Sequence, residues 1–283
     1  MVRCGRPATA STRLPLRRLI IRPGGIGDCI LSLPAMEHLR VETTEVWVPS
    51  GVVPLIRWAE ARAIASTGID LLGLAGVEPP SGLIARLRSF DSIVSWYGAN
   101  RAEFREHERS LRLPVQFLDA LPRPGAKIHA ADFFLQQAGG RGLALPRIEC
   151  QVRGRADFAA IHPFSGSAWK NWPLERYREV ATRLGMPVRW SAGPEEALDE
   201  AVRFENLYDL ACWLATALVY IGNDSGITHL AAAVGTPVVA IFGPTDPAVW
   251  APRGERVRVV SGRLEEISVD EVLSAIANGI LMV

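Results

Sequence analysis

One local pattern occurs twice in this chain and constrains its fold more than any other feature. It is a short apolar run, then a turn of small or polar residues, then a segment of helical period. The first copy is LRRLII (16–21), the turn Pro23-Gly24-Gly25-Ile26-Gly27, and a helix predicted from about Asp28 to Arg40. That helix carries Ile30, Leu31, Leu33, Met36 and Leu39 on its apolar side. The second copy is AAIH (159–162), the turn PFSGSAWKN and the helix PLERYREVATRL, with Pro173 suited to the first helical turn. Further apolar runs alternate with helical segments around each copy. TEVWV (44–48), IASTG (64–68) and SIVSW (92–96) read as strands in the first half. PVRWSAG (187–193), LVYIG (218–222), PVVAIFG (237–243) and RVRVVS (256–261) do so in the second. Helices are predicted over 100–113 and 129–140, in stretches across 195–217, in SGITHLAAAVG, and at 268–281. Such alternation specifies an α/β chain with parallel sheets wrapped by helices. At 283 residues there is room for two such units. The expected division runs near LPRIECQVRGR, giving domains at 1–150 and 151–283.

Composition narrows the partners. Hydrophobic residues make up 48% and charged residues 22%, a globular balance. Lys+Arg is 31 against Asp+Glu 30, so the basic excess of a nucleic-acid binder is missing. Only Lys127 and Lys170 are lysines; arginine serves every other cationic position. Cys4, Cys29, Cys150 and Cys212 have neither metal-finger nor redox-motif spacing and are expected to be reduced, in a cytoplasmic protein. The basic N-terminal stretch lacks the apolar core of a secretory signal. The apolar segment 229–243 is broken by Gly235 and Pro237, so it reads as a buried helix and strand.

In open parallel sheets, ligands sit beyond the C-terminal strand ends. Four loops there carry polar or glycine-rich sequence. PGGIGD (23–28) is neither a P-loop, since no GK[ST] follows, nor a full dinucleotide fingerprint, since Ile30 replaces the third glycine. Gly25 and Gly27 let a ligand approach the backbone, and Asp28 opens the helix as a cap or as a general base. HPFSGSAWKNWP (162–173) offers Ser165, Gly166, Ser167 and the rare Lys170, a point charge suited to phosphate. SAGPEE (191–196) supplies Glu195 or Glu196 for ribose hydroxyls or for a helix dipole. GNDSGITHLAAAVGTP (222–237) places cap residues Asn223, Asp224 and Ser225 before free amides at a positive helix end. His229 lies one turn further along the same face as Ser225. No Asp-X-Asp, HExxH, Cys/His cluster or GxSxG occurs. The chemistry expected of these loops is therefore metal-free, with no cofactor.

With those loops in place, the sequence resembles the heptosyltransferase family of glycosyltransferases, which build the inner core of lipopolysaccharide. PGGIGDCILSLPAMEHLR, HPFSGSAWKNWP and GNDSGITHLAAAVGTPVVAIFGPTDPAVWAP carry the resemblance, in the family's order. It implies a GT-B architecture: two Rossmann-like domains facing across a cleft, with the last helix packing back on the first domain. It further implies Asp28 as catalytic base, with Gly25 and Gly27 on the acceptor side. Ser165 and Lys170 would meet the diphosphate, Glu195 or Glu196 the ribose, and Asp224, Ser225, Gly226 and His229 the sugar phosphate. The implied reaction is inverting, metal-independent transfer of heptose from ADP-heptose to a glycolipid acceptor. A different nucleotide sugar, a protein acceptor, or a sugar-nucleotide-binding protein without catalysis are the alternatives. The arginines 101, 105, 109 and 112 of the helix 100–113 offer contacts to lipid-headgroup phosphates, but they alternate with Glu103, Glu106 and Glu108, a pattern that favours a solvated helix face. The basic arm at 1–18 either meets an anionic surface at the cytoplasmic face of the inner membrane or lacks order.

Overall fold

The protein is described by a computed structural model that covers residues 15–152, 154 and 156–279. The basic arm up to residue 14, with Cys4, lies outside the described residues. Two five-stranded sheets, parallel throughout, form the frame. The first contains β1 (Arg17–Ile21), β2 (Thr43–Val48), β3 (Glu60–Ala63), β4 (Ser92–Ser95) and β5 (Val115–Phe117), in the order β3-β2-β1-β4-β5. Its helices are α1 (Ile26–Leu31), α2 (Leu33–His38), α3 (Leu83–Arg88), α4 (Ala102–Leu111) and α5 (Ala130–Gln137). The second contains β6 (Ala159–His162), β7 (Val188–Trp190), β8 (Val219–Asn223), β9 (Val238–Phe242) and β10 (Val257–Ser261), in the order β10-β9-β8-β6-β7. It is wrapped by α6 (Leu174–Arg183), α7 (Leu207–Thr216), α8 (Gly226–Ala233), α9 (Pro247–Trp250) and α10 (Val269–Gly279).

Central strands β8 and β9 are buried along their whole length, as expected of strands covered on both faces. Strand order reverses between β1 and β4 in one sheet and between β6 and β8 in the other. Crevices at such switch points are where open α/β sheets hold ligands. Both strand–turn–helix copies read from the sequence begin there.

The halves touch through named contacts. α1 packs against α8 so closely that a Cβ on Gly226 would stand 2.6 Å from Ile26 Cβ. Arg253 forms an ion pair of 2.5 Å with Asp132 on α5, and His129 Nε2 lies 2.8 Å from the Ala251 carbonyl.

Several expectations are corrected. Residues 64–68 are not a strand: β3 ends at Ala63 and Ile64–Ser66 is a single 3₁₀ turn. The charges of Glu60 and Arg62 disguised this half-exposed edge strand. The first helix begins two residues early and breaks at Ser32, whose hydroxyl bonds back to the Asp28 carbonyl at 2.7 Å. Within 195–217 only α7 is α-helical. Among the described residues α10 packs on the second half and not back on the first: Val269, Val272 and Ile276 join Ile161, Val180 and Val239 under the second sheet. Its buried spacing matches the face offered by α6 and β10. The predicted end of that helix, residues 280–281, lies outside the described residues. Glu108, expected on a solvated face, is buried, because it sits one turn after the core residue Phe104. Cys29, Cys150 and Cys212 are free thiols. Among the described residues no helix is long and apolar enough to cross a membrane.

Candidate active site

A cavity of about 680 Å³ opens between the two sheets, lined by the ends of both strand–turn–helix copies. On the first side, β1 delivers the chain into Pro23-Gly24-Gly25. Gly24 has φ +114°, and a Cβ there would meet Asp28 Oδ2 at 2.8 Å, so this turn requires glycine. Asp28 stands in the first turn of α1, where Oδ2 accepts a hydrogen bond from the Gly25 amide at 2.9 Å. This is the backward reach of a capping-box carboxylate. Asp28 is half-buried and lines the cavity with Gly25 and Gly27. The residue that caps the helix is thus also part of the cavity wall.

On the second side, β8 runs into α8. Ser225 caps α8 by accepting from the Thr228 amide at 3.3 Å. The amides of Gly226 and Ile227 precede the first intrahelical bond, and both residues line the cavity. The helix dipole makes this end favourable for an anion. Lys170 Nζ lies 2.7 Å from Asp224 Oδ2, and Thr245 Oγ1 donates to the same oxygen at 2.5 Å. The ammonium expected to meet a phosphate is thus held beside α8 by a buried carboxylate. Asn223, read from sequence as a cap, instead ties two loops together. Its Nδ2 donates to the Pro163 carbonyl at 2.8 Å, and its Oδ1 accepts from Trp172 N at 2.9 Å and Tyr177 Oη at 2.8 Å.

The loop after β6 places Ser165, Gly166, Ser167 and Lys170 on the cavity. Ser165 Oγ sits 2.8 Å from both the Ser167 carbonyl and Asn171 Oδ1, so its proton serves the loop itself. Of the two candidate glutamates, Glu196 lines the cavity and accepts from the Gly193 amide at 2.6 Å. Glu195 is exposed and does not line it. Lining residues not singled out from sequence include His162, Phe204, Asn206, Leu207, Leu210, Thr245 and Trp250. His162 and Thr245 follow the strand-end rule and were accessible to it; Phe204 and Trp250 reach the cavity only through tertiary packing. His162 Nδ1 lies 2.9 Å from the Ser191 carbonyl, which fixes the proton on Nδ1. Its Nε2 then faces Glu196 Oε2 at 3.7 Å as a second acceptor.

Burial sets the state of the histidines. His229 lines the cavity under Gly27, where a Cβ would meet its ring at 3.0 Å. Burial outweighs the attraction of Asp224 and pushes its pKa down to about 4, with His129 and Lys170 adding to the fall. His162 is also lowered, first by burial, against the pull of Glu196. Both rings are neutral at pH 7, so His229 acts as a polar neutral group and not as a cation. The unfolded chain takes up the His229 proton below about pH 6.5, the folded chain only near 4. Stability is therefore full above 6.5 and falls as pH drops toward 4. Denaturant midpoints at pH 7, 5.5 and 4.5 should decline for the wild type, and His229→Gln should flatten that decline. An unchanged slope in the variant would remove His229 as its source.

The sequence profile of glycosyltransferase family 9 (heptosyltransferase) matches residues 135–271, the stretch that holds every second-side feature above. Over that stretch the chain is similar to the family 9 heptosyltransferases. It is 25% identical to lipooligosaccharide heptosyltransferase 2 of Haemophilus influenzae, over 88% of this chain and 90% of that one. It is 29% identical to lipopolysaccharide heptosyltransferase 1 of Salmonella typhimurium, over 85% and 92%. The solved structure of Escherichia coli ADP-heptose lps heptosyltransferase II superposes with a TM-score of 0.69 at 19% identity, covering 93% of this chain and 98% of that one. The two facing parallel sheets are the GT-B fold.

Proposed function

We propose that this glycosyltransferase moves a heptose from ADP-heptose to an inner-core lipopolysaccharide acceptor, by single inverting displacement and without a metal ion. The observation that carries the reading is the placement of one carboxylate, Asp28, and one anion-binding helix end, α8 with Lys170, on a single cavity between the sheets. Asp28 takes the proton of the acceptor hydroxyl as its oxygen bonds to the anomeric carbon. The bond from that carbon to the diphosphate breaks on the opposite face, which inverts the configuration. Negative charge growing on the departing ADP meets the Gly226 and Ile227 amides and the Lys170 ammonium, oriented before the reaction begins. Neutral His229 adds a polar contact beside them. Two acceptors 3.7 Å apart, His162 Nε2 and Glu196 Oε2, suit a donor of two adjacent hydroxyls, as the ribose of a nucleotide presents. The acceptor enters from the side of Gly25 and Gly27. The names of the relatives support heptose and lipopolysaccharide as the substrate classes, and the ADP-heptose named with the Escherichia coli structure supports the donor. On this reading residues 1–150 serve the acceptor and 151–283 the donor, with reaction at the cytoplasmic face of the inner membrane.

The test is ADP release from ADP-heptose with and without a purified inner-core acceptor, in buffer and in EDTA. The expected result is acceptor-dependent release, unchanged by EDTA, with a product of inverted anomeric configuration. Loss of release in EDTA, or retention of configuration, would contradict the reading.

A further inference from the structure

We propose that Arg22 is the positioning residue for Asp28: a buried guanidinium that clasps both ends of the loop carrying the base. The inference rests on the reading of Asp28 as the proton acceptor. Arg22 follows β1 directly and is only 1% exposed. Nη1 donates to the Pro23 carbonyl at 3.0 Å, where the loop begins. Nη2 donates to the Asp28 carbonyl at 3.3 Å, where it ends. Nε donates to Ser32 Oγ at 2.6 Å, and that hydroxyl donates in turn to the Asp28 carbonyl at 2.7 Å. The guanidinium is held over the rings of Phe134, 4.6 Å to the centroid, and Trp96, 5.6 Å. Every partner in this set is a neutral oxygen or an aromatic face. Among the described residues no carboxylate stands within ion-pair distance of it.

A buried charge without a counter-ion is costly, and an apolar side chain of similar length would suit this setting better for stability alone. What the arginine adds is geometric. Its planar fork reaches two carbonyls and a hydroxyl at once, which closes the glycine-rich turn into a ring around one fixed centre. Gly24 and Gly25 make that turn deformable, and the Asp28 carboxylate is tied only to the Gly25 amide of the same turn. The packing of α1 on α8 holds the helix, and the clasp adds the polar tie that sets the height of Asp28 over the cavity. Of the donor-binding groups, Lys170 and Glu196 stand on loops of the other sheet, while Gly226 and His229 touch Ile26 and Gly27.

The test compares wild type, Arg22→Met, Arg22→Lys and Ser32→Ala, each alone and with Asp28→Asn. ADP release with acceptor gives kcat, and binding of ADP, followed by calorimetry, gives donor-side affinity. Arg22→Met should lower kcat by about 10²-fold, the effect of a displacement near 1 Å at a reacting group. Its ADP affinity should fall far less than kcat, because Lys170 and Glu196 stand on loops of the other sheet. Arg22→Lys, which keeps the charge and can reach a carbonyl, should recover part of kcat. Ser32→Ala, which retains the charge and the backbone contacts, should lower kcat less than Arg22→Met does. On the Asp28→Asn background neither change should lower the residual rate further. Full kcat in Arg22→Met, or in Ser32→Ala should Arg22→Met not fold, overturns the clasp. So does an equal loss on the Asp28→Asn background, or a joint loss of kcat and ADP affinity that lysine does not rescue. If Asp28→Asn alone keeps wild-type kcat, the reading of the base fails instead, and the two failures are told apart.

Discussion

Asp28→Asn should lower the rate of sugar transfer by about 10²–10⁴-fold, the usual effect of removing a positioned general base. Asparagine keeps the size of the side chain, and its Oδ1 can still accept from the Gly25 amide that holds Asp28 at 2.9 Å. The turn and α1 should therefore survive, and the melting temperature should change little. Donor binding should survive too, because the amides of α8, Lys170 and Glu196 belong to the other sheet. The variant should thus bind ADP-heptose normally while failing to turn it over. Transfer within a few-fold of wild type would reduce Asp28 to a helix cap. A loss of donor affinity equal to the loss in rate would mean that its charge serves binding.

The second large effect is at Lys170. Its ammonium is 2.7 Å from Asp224, a buried carboxylate that also accepts from Thr245. Lys170→Met removes a donor to the leaving diphosphate, which should cost about 10²–10³ in kcat. It also leaves Asp224 buried, unpaired and facing an incoming dianion. Breaking one side of a buried pair costs about 3–5 kcal/mol of stability at the upper end, and Lys170 is partly exposed, so a loss of about 1–3 kcal/mol is expected here after solvent screening. The repulsion should weaken ADP binding as well. The double variant Lys170→Met/Asp224→Asn removes the stranded charge. It should regain stability and ADP affinity relative to the single variant, without regaining kcat. Equilibrium unfolding, calorimetry with ADP and steady-state rates separate the three quantities. A double variant as weak in ADP binding as the single one would show that Asp224 does not oppose the diphosphate.

The sheets were legible because fully covered parallel strands are written as continuous apolar runs, as in LVYIG and PVVAIFG. β3 was misplaced because an edge strand with one open face carries charges, and Glu60 and Arg62 read as loop. The destination of α10 was not legible either. Val269, Val272 and Ile276 announce an apolar face but not which sheet it covers, and α6 and β10 decide that through packing. At the site, the glycine turn, Lys170 and the Asp224–Ser225 cap were visible as residue types at strand ends. The pairing of Lys170 with Asp224 and the choice of Glu196 over Glu195 are facts of tertiary structure, invisible to spacing. Arg22 was hidden for another reason. It stands in an apolar strand end among 29 arginines, and only burial without a counter-ion sets it apart.

A crystal structure with ADP-heptose bound tests the central electrostatic claim most directly. The account predicts pyrophosphate oxygens within hydrogen-bond distance, about 3 Å, of the Gly226 or Ile227 amide and of Lys170 Nζ, with no cation between protein and phosphates. A pyrophosphate seated away from the start of α8, or bridged to the protein by a divalent ion, would contradict it.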